Sequence, residues 1–194
     1  MDLLQFALPF WGENEKLPDP ELVLFYKGLE TRDIWLDSEI TWETCSFIVK
    51  LIQYLNKKES FDETPIKLHI LSPGGELPVM FTLYETIKNS EIPIHTINEG
   101  GCHSAAFIVY LAGHQRSMSS YATFIAHEGS GMMGGSFREN KVAMRQYEKD
   151  VMAMKQIIAE NTNLTLEDIE NQFEKEQDWY ICYDDACKFG IIKE

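Results

Sequence analysis

Basic residues are scarce in this chain. Lys and Arg number 17 among 194 residues against 31 Asp and Glu, for a formal net charge of −14. Phosphate backbones and anionic lipid headgroups are held by clustered cations, so this balance argues against a nucleic-acid or membrane-surface partner. Cysteine is scarce too. The four present, Cys45, Cys102, Cys182 and Cys187, form no CxxC pair, which favours neither a zinc site nor a disulfide framework and fits a reducing cytoplasm. No stretch approaches the roughly 20 apolar residues that a bilayer-spanning helix needs. The apolar opening Met1-Asp2-Leu3-Leu4-Gln5-Phe6-Ala7-Leu8-Pro9-Phe10-Trp11 lacks the positive leader of an export signal, and acidic residues follow it at once. A P-loop, a GxSxG elbow, internal repeats and low-complexity tracts are all missing as well.

What is there reads as an ordinary globular chain, with 44% apolar and 25% charged residues. Its length suits one domain with a sizeable core. Residues 1–20, with Pro9, Pro18 and Pro20 around the polar run Gly12 to Lys16, read as an arm, and residues 21–194 as the single domain. Strand-like stretches at 33–36, 66–71, 93–97, 116–118 and 123–126 alternate with helix-like ones, the mark of an α/β fold whose helices pack on a largely parallel sheet. Thr41 caps a helix whose apolar residues Cys45, Ile48, Val49, Ile52 and Leu55 share one face. Leu77, Met80, Phe81, Tyr84 and Ile87 mark a second helix, and 105–111 a short apolar third. The longest helix spans about 138–161, with Met144, Tyr147, Val151, Met154 and Ile158 in a stripe spaced for packing. Thr165 caps a further helix, with Asp168 completing a capping box and Leu164 facing Ile169; a short helical stretch falls at 184–188.

A serine hydroxyl becomes a useful nucleophile only when a histidine takes its proton and a carboxylate holds that histidine. Ser104 follows Gly100-Gly101-Cys102-His103 at a strand end and opens the apolar helix, where unpaired N–H groups can stabilise an oxyanion. His127 follows the strand 123–126 and precedes Gly129-Ser130-Gly131-Met132-Met133-Gly134-Gly135. Of the five histidines, His69 and His95 lie inside strands, His114 sits in a turn, and His103 adjoins Ser104 on a turn where neighbouring side chains diverge. Taken singly, each candidate has an ordinary structural explanation: Ser104 as a helix cap, Asp178 as one solvated carboxylate among many.

Together they form a pattern. Ser72-Pro73-Gly74-Gly75, then Gly100-x-x-x-Ser104 with Ala112-Gly113 behind it, then His127, then Asp178 with Phe189-Gly190 beyond, resembles the caseinolytic protease family, ClpP, over about residues 32–192. The resemblance implies a ClpP/crotonase-like fold of repeated β-β-α units, with the long helix protruding to make contact between rings. It also implies a serine endopeptidase with Ser104 as nucleophile, His127 as general base and Asp178 as the orienting group. The family's oxyanion N–H groups fall on Gly75 and Ala105, and its extended substrate lies along Gly74, Gly129, Ser130, Gly131 and Met132. No metal or cofactor belongs to such a subunit. Its partners would be copies of itself, in heptameric rings stacked as a tetradecamer, and an ATP-driven Clp unfoldase that consumes the nucleotide and feeds in unfolded polypeptide.

Three positions depart from the family pattern: Leu71 where Asn is usual, Glu128-Gly129 where Gln-Pro is usual, and Gln177 where many relatives carry an arginine that links rings. A charge at Glu128 would raise the pKa of His127 if its side chain turned inward. Residues 1–31 do not match. Other readings are a catalytically silent Clp-like ring subunit, a Clp-like capsid-processing peptidase, and an acyl-CoA enzyme of the crotonase type.

Overall fold

The computed structural model describes residues 19–57, 64–131 and 134–193. The proline-rich arm therefore lies outside the described residues, apart from Asp19 and Pro20, which start the first helix. There the Asp19 side chain accepts the Glu21 N–H, and helix α1 runs Pro20–Thr31. Strand β1 (Asp33–Leu36) is followed by α2 (Trp42–Lys57), β2 (Ile66–Ser72), α3 (Leu77–Lys88), β3 (Ile94–His103) and α4 (Ala105–Leu111). Next come β4 (Gln115–Met118), β5 (Thr123–Ala126), α5 (Phe137–Asn161), α6 (Leu166–Lys175), β6 (Trp179–Ile181) and α7 (Tyr183–Lys188).

The sheet order is β1-β2-β3-β5-β6, with β4 also paired to β3. All pairs are parallel except β5 with β6. Strand β3 serves two partners in succession. His95 to Asn98 pair with β4, and Gly101 to His103 pair with β5. The glycines at 100 and 101, expected to close the strand, are thus carried inside it because β5 supplies a ladder on that side.

Side chains of β2 alternate between buried Ile66, Leu68, Ile70 and Ser72 and outward Lys67, His69 and Leu71, as period-2 geometry demands when helices cover one face. Helix α4 is buried on every side, from Ala105 to Leu111, which is what an apolar run without a polar face requires. Phe124 of β5 packs on its Phe107 and Tyr110 rings. The core runs through all these elements from Ile34 to Ile191.

Two helix starts follow local chemistry. Thr165 and Asp168 form the expected capping box on α6, and Ser136 with Glu139 forms another on α5 that the sequence reading did not pick out. The stripe on α5 divides. Met154 and Ile158 enter the core, whereas Met144 is exposed along with Phe137 and Val142. The N-terminal half of this helix therefore stands away from the subunit's own core.

On the outward sheet face, His69 is held between Asp33 at 2.9 Å and Glu99 at 2.6 Å, with Trp35 stacked on its ring at 4.5 Å. His95 meets Ser117 at 2.8 Å, and His114 accepts the Ile94 N–H. These three histidines are engaged in the sheet and its border, as their sequence positions suggested.

Candidate active site

Strand ends bring the three candidate residues together. Ser104 is one residue past β3 and donates its backbone N–H to the Ile125 carbonyl of β5 at 2.7 Å. His127 is one residue past β5. Asp178 is one residue before β6, which runs antiparallel to β5 with Ala126 opposite Trp179. One further step along that ladder sets 127 beside 178, so two short pairings bring three strand ends together at one end of the sheet. The sequence reading found the residues but not β6, the strand that delivers Asp178.

The resulting distances are those of a relay. His127 Nε2 lies 2.6 Å from Ser104 Oγ, and His127 Nδ1 lies 3.4 Å from Asp178 Oδ1. The first is a short hydrogen bond; the second is an ion-pair approach somewhat longer than an ordinary N–H···O contact. In serine hydrolases the corresponding contact is commonly loose before substrate arrives. The Asp178 side chain is 51% exposed, and its backbone is fixed from the next residue: Trp179 is buried, edge-on to Phe173 and Phe189. His103 turns away, its Nε2 lying 3.2 Å from Thr123 Oγ1.

Ser104 has φ 54° and ψ −124°, a left-handed backbone that non-glycine residues rarely adopt. Its hydroxyl makes no capping bond to α4 and is directed to His127 instead. Ala105 opens that helix, and its N–H belongs to the first turn, where no intrahelical acceptor exists.

The turn after β2 is pressed against this point. Gly74 has φ +100°, and a methyl group placed on it would fall 2.6 Å from the His103 carbonyl oxygen, 2.8 Å from Ser104 Cβ and 3.0 Å from the Ala105 nitrogen. Only glycine fits both the dihedral and the space. Gly75 forms a parallel bridge with Ile40. That bridge uses the Gly74 carbonyl and the Glu76 N–H, so the N–H of Gly75 itself points to the opposite side of the segment. Ser72 fixes the turn, donating to the Ser38 carbonyl at 2.6 Å and accepting the Gly74 N–H at 3.2 Å.

Beyond His127 the chain is exposed through Glu128, Gly129, Ser130 and Gly131; Met132 and Met133 lie outside the described residues. The Tyr147 hydroxyl of α5 donates to the Glu128 carbonyl at 2.8 Å. Gly129 has φ +90°, and a Cβ there would strike that hydroxyl at 2.5 Å. The Glu128 carboxylate pairs with Lys155 Nζ at 2.7 Å, so the condition of an inward-turned side chain is not met. Lys155 escaped the sequence reading because a lysine on a helix normally reads as solvated; its place beside Met154 on the packing stripe was the available signal.

At the other departures from the family pattern, Leu71 is exposed on the outward sheet face and Gln177 is exposed beside Asp178. The four cysteines are unpaired, Cys45 and Cys102 buried and Cys182 and Cys187 exposed. Burial pushes the Cys102 thiol well above its ordinary pKa, which keeps it protonated and unreactive. Among the described residues no helix is long and apolar enough to cross a membrane, and no cluster of His, Cys, Asp and Glu could hold a metal ion.

Comparison with known proteins agrees with this architecture. The proteolytic subunit 2 of the ATP-dependent Clp protease of Treponema pallidum is 27% identical, the alignment covering 89% of this chain and 85% of that protein. The corresponding subunit of Dehalococcoides mccartyi is 25% identical, covering 86% and 82%. Proteolytic subunit 2 of Bifidobacterium longum is also 25% identical, covering 96% and 89%. The family model described as Clp protease matches residues 21–194, and with that extent of agreement the chain belongs to the Clp protease family.

Proposed function

We propose that this chain is a serine endopeptidase, the proteolytic subunit of a self-compartmentalised Clp-type protease, and that residues 21–194 act as one peptidase domain. The observation that carries the reading is the 2.6 Å contact between His127 Nε2 and Ser104 Oγ, with Nδ1 of the same ring facing Asp178.

In this mechanism Nδ1 bears the proton toward Asp178, which leaves Nε2 to accept the Ser104 proton as Oγ attacks a peptide carbonyl. Asp178 stabilises the imidazolium that forms. The N–H groups of Gly75 and Ala105 bind the oxyanion, a contribution that in other hydrolases is worth about 3 kcal/mol for one donor. His127 then protonates the leaving amine. Water attacks the acyl-enzyme with His127 acting as base once more, and Ser104 is restored. Gly74 on one side and residues 129–131 on the other would flank an extended substrate paired through its backbone, which predicts broad sequence preference. No metal or cofactor takes part in this scheme.

Family membership supports a reading of the partners. Seven copies would form a ring, and two rings would stack through the projecting half of α5 to enclose the sites. An ATP-driven unfoldase would thread unfolded polypeptide into that cytoplasmic chamber, ATP being consumed by the unfoldase.

The test is hydrolysis of a fluorogenic peptide and of an unfolded protein by the wild type and Ser104→Ala, beside a measurement of native mass. Loss of at least about a thousandfold in kcat is expected for the variant. Equal rates would refute the serine mechanism, and peptidase activity at a native mass of one subunit would refute the ring.

A further inference from the structure

Glu128 follows the proposed base directly, and α5 holds it by two groups. Tyr147 takes its carbonyl and Lys155 takes its carboxylate. Lys155 also pairs with Glu170 of α6 at 3.0 Å, and its ammonium stands 5.6 Å from the Phe173 ring centre. The lysine side chain is only 6% exposed, whereas about half of each carboxylate faces solvent. Burial works against the lysine's charge, but the hydrogen bonds and charges of Glu128 and Glu170 outweigh it and lift its pKa above the ordinary 10.5. Lys155 is therefore cationic across the neutral range.

The position of this pair, more than its strength, is informative. His127 has Ser104 on one ring nitrogen and Asp178 near the other, with the Glu128 carboxylate on the next residue. Lys155 faces Glu128, Glu170 and Phe173. Asp178 is the carboxylate that faces the imidazole, while that of Glu128, the very next residue after His127, is turned to Lys155; the relay calls for one carboxylate. Resting on the serine-peptidase reading above, we propose that Lys155 is a positioning residue: it sequesters Glu128 so that His127 answers to Asp178 alone, and it anchors the segment 128–131 as a fixed edge for the substrate backbone.

The consequence of losing Lys155 follows in sign. An uncompensated carboxylate beside the ring favours the imidazolium. The base then stays protonated to higher pH, and the acid limb of kcat/KM moves up. The loosened segment separately raises KM.

The full chain is compared as wild type, Lys155→Met, Lys155→Arg and Glu128→Gln/Lys155→Met. The readouts are the pH dependence of kcat/KM on a fluorogenic peptide and the titration of the His127 ring by NMR, assigned with His127→Gln. Lys155→Met should move both the acid limb and the ring titration up by about half to one pH unit, giving about a threefold to tenfold loss of kcat/KM at pH values well down the acid limb. Lys155→Arg keeps the pair and should stay near the wild-type profile. The double variant removes the stranded charge and should recover the acid limb while keeping the raised KM.

Wild-type limbs and titration in Lys155→Met overturn the proposal, as does a double variant displaced as far as the single one. If the methionine variant does not fold, Lys155→Gln, which retains a hydrogen bond without the charge, makes the same comparison. The ring titration needs no turnover. A Ser104→Ala protein as active as wild type would therefore defeat the serine mechanism while leaving the link between Lys155 and His127 to be decided by NMR.

Discussion

His127 has two unlike sides. Toward Ser104 the surroundings are core: Ala105 and Cys102 have no accessible surface, Gly74 is buried, and the turn is tied to Ser38 and Ile40 by hydrogen bonds through the backbone or a buried hydroxyl. Toward Asp178 the surroundings are open. The carboxylate is half exposed, residues 128–131 lie at the surface, and single side chains, Tyr147, Lys155 and Trp179, hold these parts. Steric exclusion fixes the first side, so even one methyl group is expected to break it. A few replaceable contacts fix the second, so it should yield by degrees.

The sharpest way to break this contrast is Gly74→Ala. The added methyl would meet the His103 carbonyl, Ser104 and Ala105 together at a dihedral alanine avoids, and peptidase activity should fall at least about a hundredfold. A loss of less than tenfold, measured as kcat/KM on a short peptide, would show that the buried side has slack.

On the open side, Trp179→Ala removes the buried ring behind Asp178. It should destabilise the fold by about 3 kcal/mol in urea unfolding and lower kcat by about tenfold, because the carboxylate is no longer held near Nδ1. Unchanged kcat in protein that is folded at the assay temperature would mean that β6 pairing alone places Asp178.

Tyr147→Phe is a gentler probe. It deletes one hydrogen bond to the Glu128 carbonyl and should raise KM about threefold with kcat retained, at a stability cost of about 1 kcal/mol. A fall in kcat with KM unchanged would place its action on the chemistry instead of on the segment.

Asp33 lies far from this contrast along the sheet and serves as its control. Burial tends to raise its pKa, but hydrogen bonds from His69 and Thr31 and the charges of Lys67 and His69 outweigh that, holding it below the ordinary 3.8. A carboxylate whose pKa is depressed on folding contributes stability above its unfolded pKa and loses it as pH falls through the folded value. Asp33→Asn should therefore lower the melting temperature by a few degrees at pH 7, about as much as 1 kcal/mol does in a domain of this size. The gap should close as pH falls below the ordinary 3.8 and through the lowered folded value, with peptide hydrolysis unaffected. A gap that is constant with pH would remove the electrostatic explanation.

Much of this could be read from residue patterns because it depends on local rules. The alternation along β2, the one-faced apolar spacing of α2, the Thr165 and Asp168 box and the fully apolar α4 each carry a period or a cap that survives without tertiary context. Other parts depend on contacts between distant segments. Strand β6 is three residues long and exists through its ladder with β5; Trp179, Tyr180 and Ile181 are strand-favouring types, but three residues are too few to show a period. Gly100 and Gly101 resemble a strand end until β5 is seen beside them. Helix α1 falls in residues 1–31, where the sequence motifs suggested no match, although the family model matches from residue 21. At the site, Ser104, His127 and Asp178 were legible as an ordered set, and so was the turn at Gly74 and Gly75. Lys155 and Tyr147 were not, because their partners at residue 128 lie on a different element and only folding sets them face to face.

The backbone of Ser104 carries one further implication. A residue held at φ 54° and ψ −124° costs the fold about 1–3 kcal/mol relative to a relaxed conformation. Glycine would shed that cost at an entropic penalty of about 1 kcal/mol, whereas alanine would keep it. Ser104→Gly is thus expected to melt higher than Ser104→Ala although both lack the proposed nucleophile. Under the proposed mechanism, thermal stability and turnover pull against each other at this position, so selection for heat resistance alone would favour replacing the serine.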